Sequence, residues 1–395
     1  MDTHAHPDTL NIGTDQPEMK PDLGMYEKEC GRRGVTDFAV LDHHMEFKFH
    51  PGDDPFRDFN EPFTCQDGKF EHDTYASSDS RGQITSYVSA QAAIQFRTHI
   101  FSVFVCHRFA RLLRWDRSGA VVSRRFSYSK LSYLAEYIYR YTRSTRAARG
   151  WDETVTTATD DDPYVVKAKE ALELGSDSRL LKFAVYQDKE KVDGKETGSI
   201  DERAKNKDPD SQTPSSDTVG DQPDVAYYYG SKPKFRANIS PTGRSTRVYV
   251  VYDPIIKRLV LLKDTWRINL PEVEKEGAIY ELLHAAKVNH VPHCLRSGDI
   301  PLRHHKTETD RFRCIFELQL RPHAHYRIVF MEVGGDLTKF QTIKEIVCAM
   351  RDAIQGNQLS SRSSFEPTSD MDRFPISSLR SLRKSRHPPS RHQCR

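Results

Sequence analysis

The sequence has no long apolar run, no large excess of charge of one sign and no closely paired cysteines. Because no run of about 18 apolar residues occurs among its 395 residues, we expect no membrane span and no membrane partner. Lys and Arg exceed Asp and Glu by only three (59 − 56 = 3), so charge alone does not argue for nucleic acid binding. The seven cysteines stand singly, which favours reduced thiols over disulfides or a zinc site.

The N-terminus lacks the basic start and the apolar core of a secretory signal, so we expect an intracellular protein. Residues 1–73 are rich in Asp, Pro, Gly and His, and only "VTDFAVLDHHMEFKF" (35–49) resembles an ordered piece. This composition predicts an N-terminal region that is mostly disordered.

Residues 74–187 predict an α+β segment. Ile84, Val88 and Ala92 recur at helical spacing, and "DRSG" between two β-type runs predicts a hairpin turn. A second helix is expected after Ser129, whose hydroxyl can cap it, followed by a short helix over 162–174 and a strand over 181–188.

Residues 188–224 are polar and charged and predict a linker or surface insertion. Order is expected again over 225–354, as a series of strands with helices over 271–288 and 343–354. The last two expected strands are "RCIFELQLRP" and "YRIVFMEV". The whole chain therefore predicts an α+β fold class.

Residues 355–395 differ in composition from all that precedes them. They contain ten Ser and four Pro, with eight Arg or Lys against three acids, and show no sustained periodicity. This predicts a disordered basic tail. The alternative is a nuclear-localisation or nucleic-acid-binding tail or a kinase substrate, and any nucleic acid contact is expected only there.

The elements of 227–354 follow the order of a nucleotide-triphosphate clamp: a hairpin over the phosphates, a strand Lys, and a helix Glu that holds the Lys. "TGRSTRVYVV" fits the spacing G-x-G-x-x-G-x-V, with Gly243, Ser245, Val248 and Val250 at the defined positions. Only the first of three glycines is present, which restricts the approach of backbone N–H groups to a phosphate. An ordinary hairpin turn is the alternative.

Lys263 and Glu276 are the expected ion pair of this clamp. Lys263 ends an alternating apolar strand, and Glu276 is followed by Ile279 and Tyr280, which would turn it toward the same core. Glu274 and Glu281 are rival partners, and a simply solvated Lys is the alternative interpretation.

"VFMEVGGDL" predicts a hinge between a strand and a helix. Phe330 would stand behind an adenine ring, and the backbone of Glu332 and Val333 would face the adenine edge. Gly334–Gly335 would let the chain bend, and Asp336 could reach a ribose hydroxyl. A strand-turn-helix junction without a ligand is the alternative.

Four histidines occur in two close pairs, His304–His305 and His323/His325. Because no Cys or carboxylate stands at ligand spacing beside them, we expect surface histidines and no metal site.

Several motifs together resemble the fungal-type protein kinase family. They are "WDRSGAVVSRRFSY", "GRSTRVYVV", "LKDTWR", "EGAIYELL", "VPHCLRSGD" and "YRIVFMEVGGDLTKF". The resemblance covers roughly 75–354 and implies a two-lobed kinase fold, ATP with Mg²⁺ as cofactor, and phosphoryl transfer to protein Ser or Thr. It also implies ATP contacts for the clamp and hinge residues named above.

The chain departs from this family after "IVCAMRDAI". The family continues into an H-R-D catalytic loop, a magnesium-binding Asn and a D-F-G segment, and none of these occurs here. No catalytic residue is therefore assigned, and we expect a chain that is inactive in phosphotransfer, with weak or absent ATP binding. The change of composition looks like a truncated or misjoined reading frame. The alternative function is a catalytically dead, kinase-derived module that binds a protein partner; neither partner nor substrate is identified.

Overall fold

The computed structural model describes residues 19–28, 30, 36–58, 70–188, 224–236, 240–312 and 320–362. These residues form two β-sheets and five α-helices, which confirms the α+β class. The helices are α1 Tyr75–Ile94, α2 Tyr133–Arg143, α3 Val165–Ala171, α4 Glu276–Ala285 and α5 Ile343–Arg362.

The first sheet has six strands: β1 Leu23–Tyr26, β2 Leu41–Lys48, β3 Ile100–Cys106, β4 Phe109–Asp116, β5 Gly119–Val122 and β6 Phe126–Ser127. Their order is β1-β2-β3-β4-β5, with β6 also paired to β4. Only the β2–β3 pair is parallel. The predicted "DRSG" hairpin is confirmed, because it joins β4 to β5, and the Asp116 carboxylate accepts a 3.0 Å hydrogen bond from the Ser118 N–H in the turn.

The second sheet has seven antiparallel strands: β7 Val155–Thr157, β8 Leu181–Tyr186, β9 Val225–Arg236, β10 Arg247–Asp253, β11 Arg258–Ile268, β12 Cys294–Asp299 and β13 His323–Phe330. Their order is β12-β13-β11-β10-β9-β8-β7. Successive side chains alternate between the faces of a strand, so this sheet has two distinct faces. We name them the Lys263 face and the Arg327 face after one residue of each.

Two helices cover the first sheet, one on each side. The apolar stripe Ile84, Val88 and Ala92 of α1 packs on Phe104 and Leu113 of β3 and β4, as its spacing predicts. Helix α2 packs on the opposite face. The predicted cap of α2 is wrong: the helix begins after Ser132 rather than Ser129, and no side chain caps it.

The two sheets meet through the β4–β5 hairpin and the end of α1. The Ser118 hydroxyl donates to the Arg321 carbonyl at 2.7 Å, and the Asp116 carboxylate accepts from the Glu308 N–H at 2.8 Å. From the second sheet, Arg247 donates to the Gln95 carbonyl at 2.9 Å. Because these bonds use buried backbone groups, the sheets share one polar interface rather than two separate surfaces.

The predicted segment boundaries need correction in three places. Strand β2 lies within 35–49, the piece of 1–73 that was expected to be ordered, whereas β1 lies where disorder was expected. Strands β7 and β8 come from 74–187 yet extend the second sheet, so that boundary separates strands that pair. Helix α5 continues past residue 354 to Arg362.

Several expectations fall outside the described residues: 1–18 and most of 59–73, 189–223 of the predicted linker, 313–319 of a predicted strand, and 363–395 of the basic tail. No helix in the described ranges combines the length and apolar character that crossing a membrane requires.

Candidate functional site

Lys263 of β11 and Glu276 of α4 form an ion pair. The Lys263 Nζ lies 2.7 Å from both carboxylate oxygens of Glu276, and their side chains are 16% and 8% exposed. Glu276 is the first residue of α4, where the partial positive charge of a helix N-terminus favours a carboxylate. Of the three glutamates that the sequence offered, the structure brings Glu276 to this lysine.

The neighbours of Lys263 on its face of the sheet are apolar. Its cross-strand partners are Val248 on β10 and Ile328 on β13, and the next layer joins Val250, Leu261 and Phe330. Paired residues of adjacent strands project to the same side. The structure therefore gathers four of the predicted site residues, Val248, Val250, Lys263 and Phe330, on the Lys263 face.

Gly277 fixes the start of α4 against this face. A Cβ at Gly277 would stand 1.9 Å from the Ser297 Oγ, and the Gly277 N–H donates to the Tyr326 hydroxyl at 2.9 Å. The close approach of the helix start to β12 and β13 holds Glu276 over Lys263. Sequence reasoning did not single out Gly277, although a glycine in the first turn of an apolar helix is a signal of close packing.

One turn further along α4, Tyr280 packs on Phe330 with ring centroids 4.9 Å apart in an edge-to-face arrangement. Tyr280 was expected to turn Glu276 toward the core that the strand faces, and its contact with Phe330 agrees with that expectation. The helix is thus anchored on both sides of the ion pair.

The predicted phosphate loop is held by backbone hydrogen bonds to both sheets. The Gly243 N–H donates to the Arg117 carbonyl at 2.8 Å, and the Trp266 N–H donates to the Arg244 carbonyl at 2.8 Å. Ser245 lines a cavity on the Arg327 face together with Trp266, so the structure does not bring Gly243 and Ser245 over Lys263. The φ of Ser245 is 43°, a left-handed value that a glycine would adopt without strain.

The predicted hinge residues lie in an exposed segment after β13. The Glu332 carboxylate accepts from the His293 N–H at 2.8 Å; burial opposes ionisation, but the hydrogen bonds from His293 lower the pKa of Glu332 overall. Val333 is exposed, and Gly334–Gly335 have open space around them. Asp336 caps the short 3-10 helix Leu337–Lys339 by accepting from the Thr338 N–H at 2.9 Å.

On the Arg327 face, a fully buried guanidinium is held by two carboxylates. Arg327 has no exposed side-chain surface, and it lies 2.8 Å from Asp264 and 2.9 Å from Asp152. Burial alone would raise the pKa of Asp152, but Arg327, and then His305 and His325, lower it overall. A buried charge persists only when it is paired in this way.

His305, His323 and His325 are buried, so the expectation of surface histidines is wrong for these three. Their partners come from distant parts of the chain: His325 Nε2 lies 2.7 Å from the Asp264 carboxylate, and His305 Nε2 lies 3.6 Å from Asp152. The expectation rested on neighbours in sequence, which do not include these carboxylates.

A small pocket lies beside this cluster, between the two sheets. Arg97, Arg117, Arg247, Asp152, Asp264 and Trp266 contribute to its walls. Burial, followed by the charge of Arg247, lowers the pKa of Arg117. The cavity lies on the side of the sheet opposite to Lys263.

Comparison with known proteins identifies no relative of this chain. No protein-family model matches the chain, and no curated protein and no solved structure matches it either. The function must therefore be argued from the residues of the site.

Proposed function

We propose that the chain is a kinase-like nucleotide-binding protein of the fungal-type protein kinase class, without phosphotransfer activity. The observation that carries this proposal is the ion pair between Lys263 and Glu276, with both carboxylate oxygens 2.7 Å from the Nζ. In protein kinases a strand lysine that contacts the α- and β-phosphates is positioned by a helix glutamate in the same manner.

Some of the residues around the ion pair suit the binding of an adenine nucleotide. Val248, Val250 and Phe330 offer an apolar surface beside the ammonium group, and the exposed backbone at Val333 offers hydrogen-bonding groups at its edge. Such a surface would hold the base while Lys263 meets the phosphates.

Other residues do not fit the bound cofactor of an active kinase. The Gly243 N–H donates to the Arg117 carbonyl, so it is not available to a phosphate. The sequence has no D-F-G Asp and no catalytic-loop Asn, which would hold the metal. We therefore propose weak, metal-independent nucleotide binding and derive no transfer step.

A thermal-shift titration of the full chain with ATP, with and without Mg²⁺, tests the proposal. Binding to the folded state raises the melting temperature, and the rise should disappear in Lys263→Ala. Lys182→Ala is the matched control, because Lys182 is also a strand lysine of the second sheet, 2.7 Å from Asp162. A flat response of the wild type, or an equal response of both variants, would overturn the proposal.

A protein-binding module is the second candidate, favoured by apolar side chains on α5. Ile343, Val347 and Ile354 are each more than half exposed and lie on one helical stripe. If ATP gives no shift, this candidate predicts that the chain self-associates or binds a partner through α5. Sedimentation of wild type and Val347→Asp over a range of concentrations would measure the self-association.

A further inference from the structure

Three potential metal ligands converge between the two sheets. Asp152 follows the bridge between Arg97 and Trp151, His305 ends the 3-10 helix Arg303–His305, and His325 lies on β13. One ligand atom from each of the three lies within 4.8 Å of the others, and all three residues are buried. Two imidazoles and one carboxylate are a common ligand set for transition metals in proteins.

Hydrogen bonding orients His325 for coordination. Its Nε2 lies 2.7 Å from the Asp264 carboxylate, which can only accept, so the proton of a neutral ring belongs on Nε2. The Nδ1 then carries a lone pair and accepts a 2.9 Å hydrogen bond from the Nδ1–H of His305, a proton that a bound metal ion would displace. A carboxylate behind a ligating histidine is the usual way in which the tautomer of such a ligand is fixed.

The distances are near those of a shared ion. Atoms bound to one tetrahedral Zn²⁺ at about 2.0–2.1 Å lie about 3.3 Å apart. The two Nδ1 atoms are 2.9 Å apart in a hydrogen bond, and the Asp152 carboxylate lies 3.6 Å from the Nε2 of His305 and 3.9 Å from the Nδ1 of His325, so one nitrogen of His305 must turn toward both partners before an ion is shared.

The third ligand is supported by its own hydrogen bonds. One oxygen of Asp152 accepts from the Thr154 N–H at 2.8 Å, and the other lies 2.9 Å from Arg327. Ligating carboxylates are usually held by partners of this kind.

The charges around the group are mixed, so the metal–ligand bonds must supply the affinity. Arg327 lies between Asp152 and Asp264, so the three groups sum to −1 when the histidines are neutral. Arg117 and Arg247 line the adjoining cavity and oppose a cation, which sets a limit on the affinity. Imidazole ligands favour Zn²⁺ or Co²⁺ over Mg²⁺ or Ca²⁺.

We propose that Asp152, His305 and His325 form a binding site for a divalent transition metal of the Zn²⁺ class. The ion would join β13 to the segments that contribute Asp152 and His305. The site lies on the opposite side of the sheet from Lys263, so the inference does not depend on nucleotide binding.

Co²⁺ titration of the chelator-treated full chain tests this site. We expect one equivalent to bind with the visible absorption of a tetrahedral complex, and Zn²⁺ to displace it. His305→Gln should abolish this absorption, whereas His305→Cys should keep it and add a thiolate-to-cobalt charge-transfer band. Asp264→Asn, which removes the support of His325, should weaken binding about 10- to 100-fold.

Two histidine variants serve as controls. His323→Gln changes a buried histidine of the same strand outside the group, and His304→Gln changes the immediate neighbour of His305; both should bind Co²⁺ as the wild type does.

The site is rejected if the wild type takes up no stoichiometric Co²⁺, or if uptake is the same in His305→Gln. If the far-ultraviolet circular dichroism shows that the His305 variants do not fold, the metal ligands are identified instead by X-ray absorption of the zinc-loaded wild type. Two imidazole ligands with oxygen support the site, and sulfur ligands or a single imidazole overturn it.

Discussion

The two faces of the second sheet carry ion pairs of opposite character. On one face, Lys263 and Glu276 keep 16% and 8% of their side-chain surface exposed and lie beside apolar side chains. On the other face, Arg327 has no exposed side-chain surface and both its carboxylate partners are buried. Lys263 and Asp264 are adjacent on β11, and side chains alternate between the faces of a strand. The same strand therefore contributes to a more accessible pair on one face and to a fully buried cluster on the other.

The difference shows what each pair can do. Removing one partner of a buried ion pair leaves an uncompensated charge in a medium of low polarity, so the Arg327 cluster is needed for folding. Lys263 keeps 16% of its side-chain surface exposed, so water reaches the ammonium group, and breaking this pair should cost less than breaking the Arg327 cluster. The Lys263 ammonium group is therefore the more accessible of the two cations to a ligand.

The largest loss of stability is expected for Arg327→Met. It leaves Asp152 and Asp264 buried without their cation, and we expect a loss of about 3–5 kcal/mol in the free energy of unfolding. Urea denaturation measures it. Arg267→Met is the matched control, because Arg267 pairs with Asp299 at 2.7 Å on the Lys263 face with both side chains partly exposed; its expected loss is about 1 kcal/mol. Equal losses in the two variants would contradict the distinction.

A pH titration extends the comparison to the first sheet. Burial lowers the pKa of His44 from 6.5 to about 4, and the side chain has no exposed surface. Below pH 6.5 the unfolded chain binds a proton that the folded chain does not, so stability falls as the pH decreases from 6.5 to about 4. One such histidine contributes about 1.4 kcal/mol per pH unit in that window, or about 3 kcal/mol across it.

Urea denaturation at several pH values measures this slope. His44→Gln should reduce it by the equivalent of one proton, whereas His107→Gln, at an exposed turn, should leave it unchanged. An unchanged slope in His44→Gln would mean that His44 is not buried as a neutral ring.

Gly277→Ala tests how closely α4 packs on the Lys263 face. The new Cβ would stand 1.9 Å from the Ser297 Oγ, so the start of α4 must move away from the sheet and carry Glu276 with it. Overpacking of this kind costs about 1–3 kcal/mol. Gly334→Ala is the control, since nothing lies within 4 Å of its added Cβ. The free energy of unfolding and the ATP thermal shift should both change in Gly277→Ala, and neither should change in Gly334→Ala.

The local part of this architecture could be predicted from the sequence. The "DRSG" turn, the stripe of α1 and the pairing of Lys263 with Glu276 depend on periodicity and on residues close together along the chain. Only Glu276, of three candidate glutamates, stands at the first position of a helix that Gly277 brings against the sheet.

Contacts between distant segments could not be predicted. Arg327 and Asp152 are separated by 175 positions, and nothing beside either residue in the sequence indicates the other. The same holds for the loop at Gly243, which is held by Arg117 of the other sheet rather than left free over Lys263. Sequence patterns report which face a side chain takes, whereas the partner on that face is decided by the packing of the sheets.

The smallest effect on stability is expected for Lys263→Met. Glu276 would remain at the positive end of α4, with Arg244 4.0 Å from its carboxylate, so we expect a loss of about 1–2 kcal/mol, less than for Arg327→Met. The ATP thermal shift should nevertheless disappear, because the ammonium group is the proposed phosphate contact. A double-mutant cycle with Glu276→Gln measures the coupling. A loss as large as that of Arg327→Met would show that the Lys263 pair is also a structural one, and the two faces would then not differ in role.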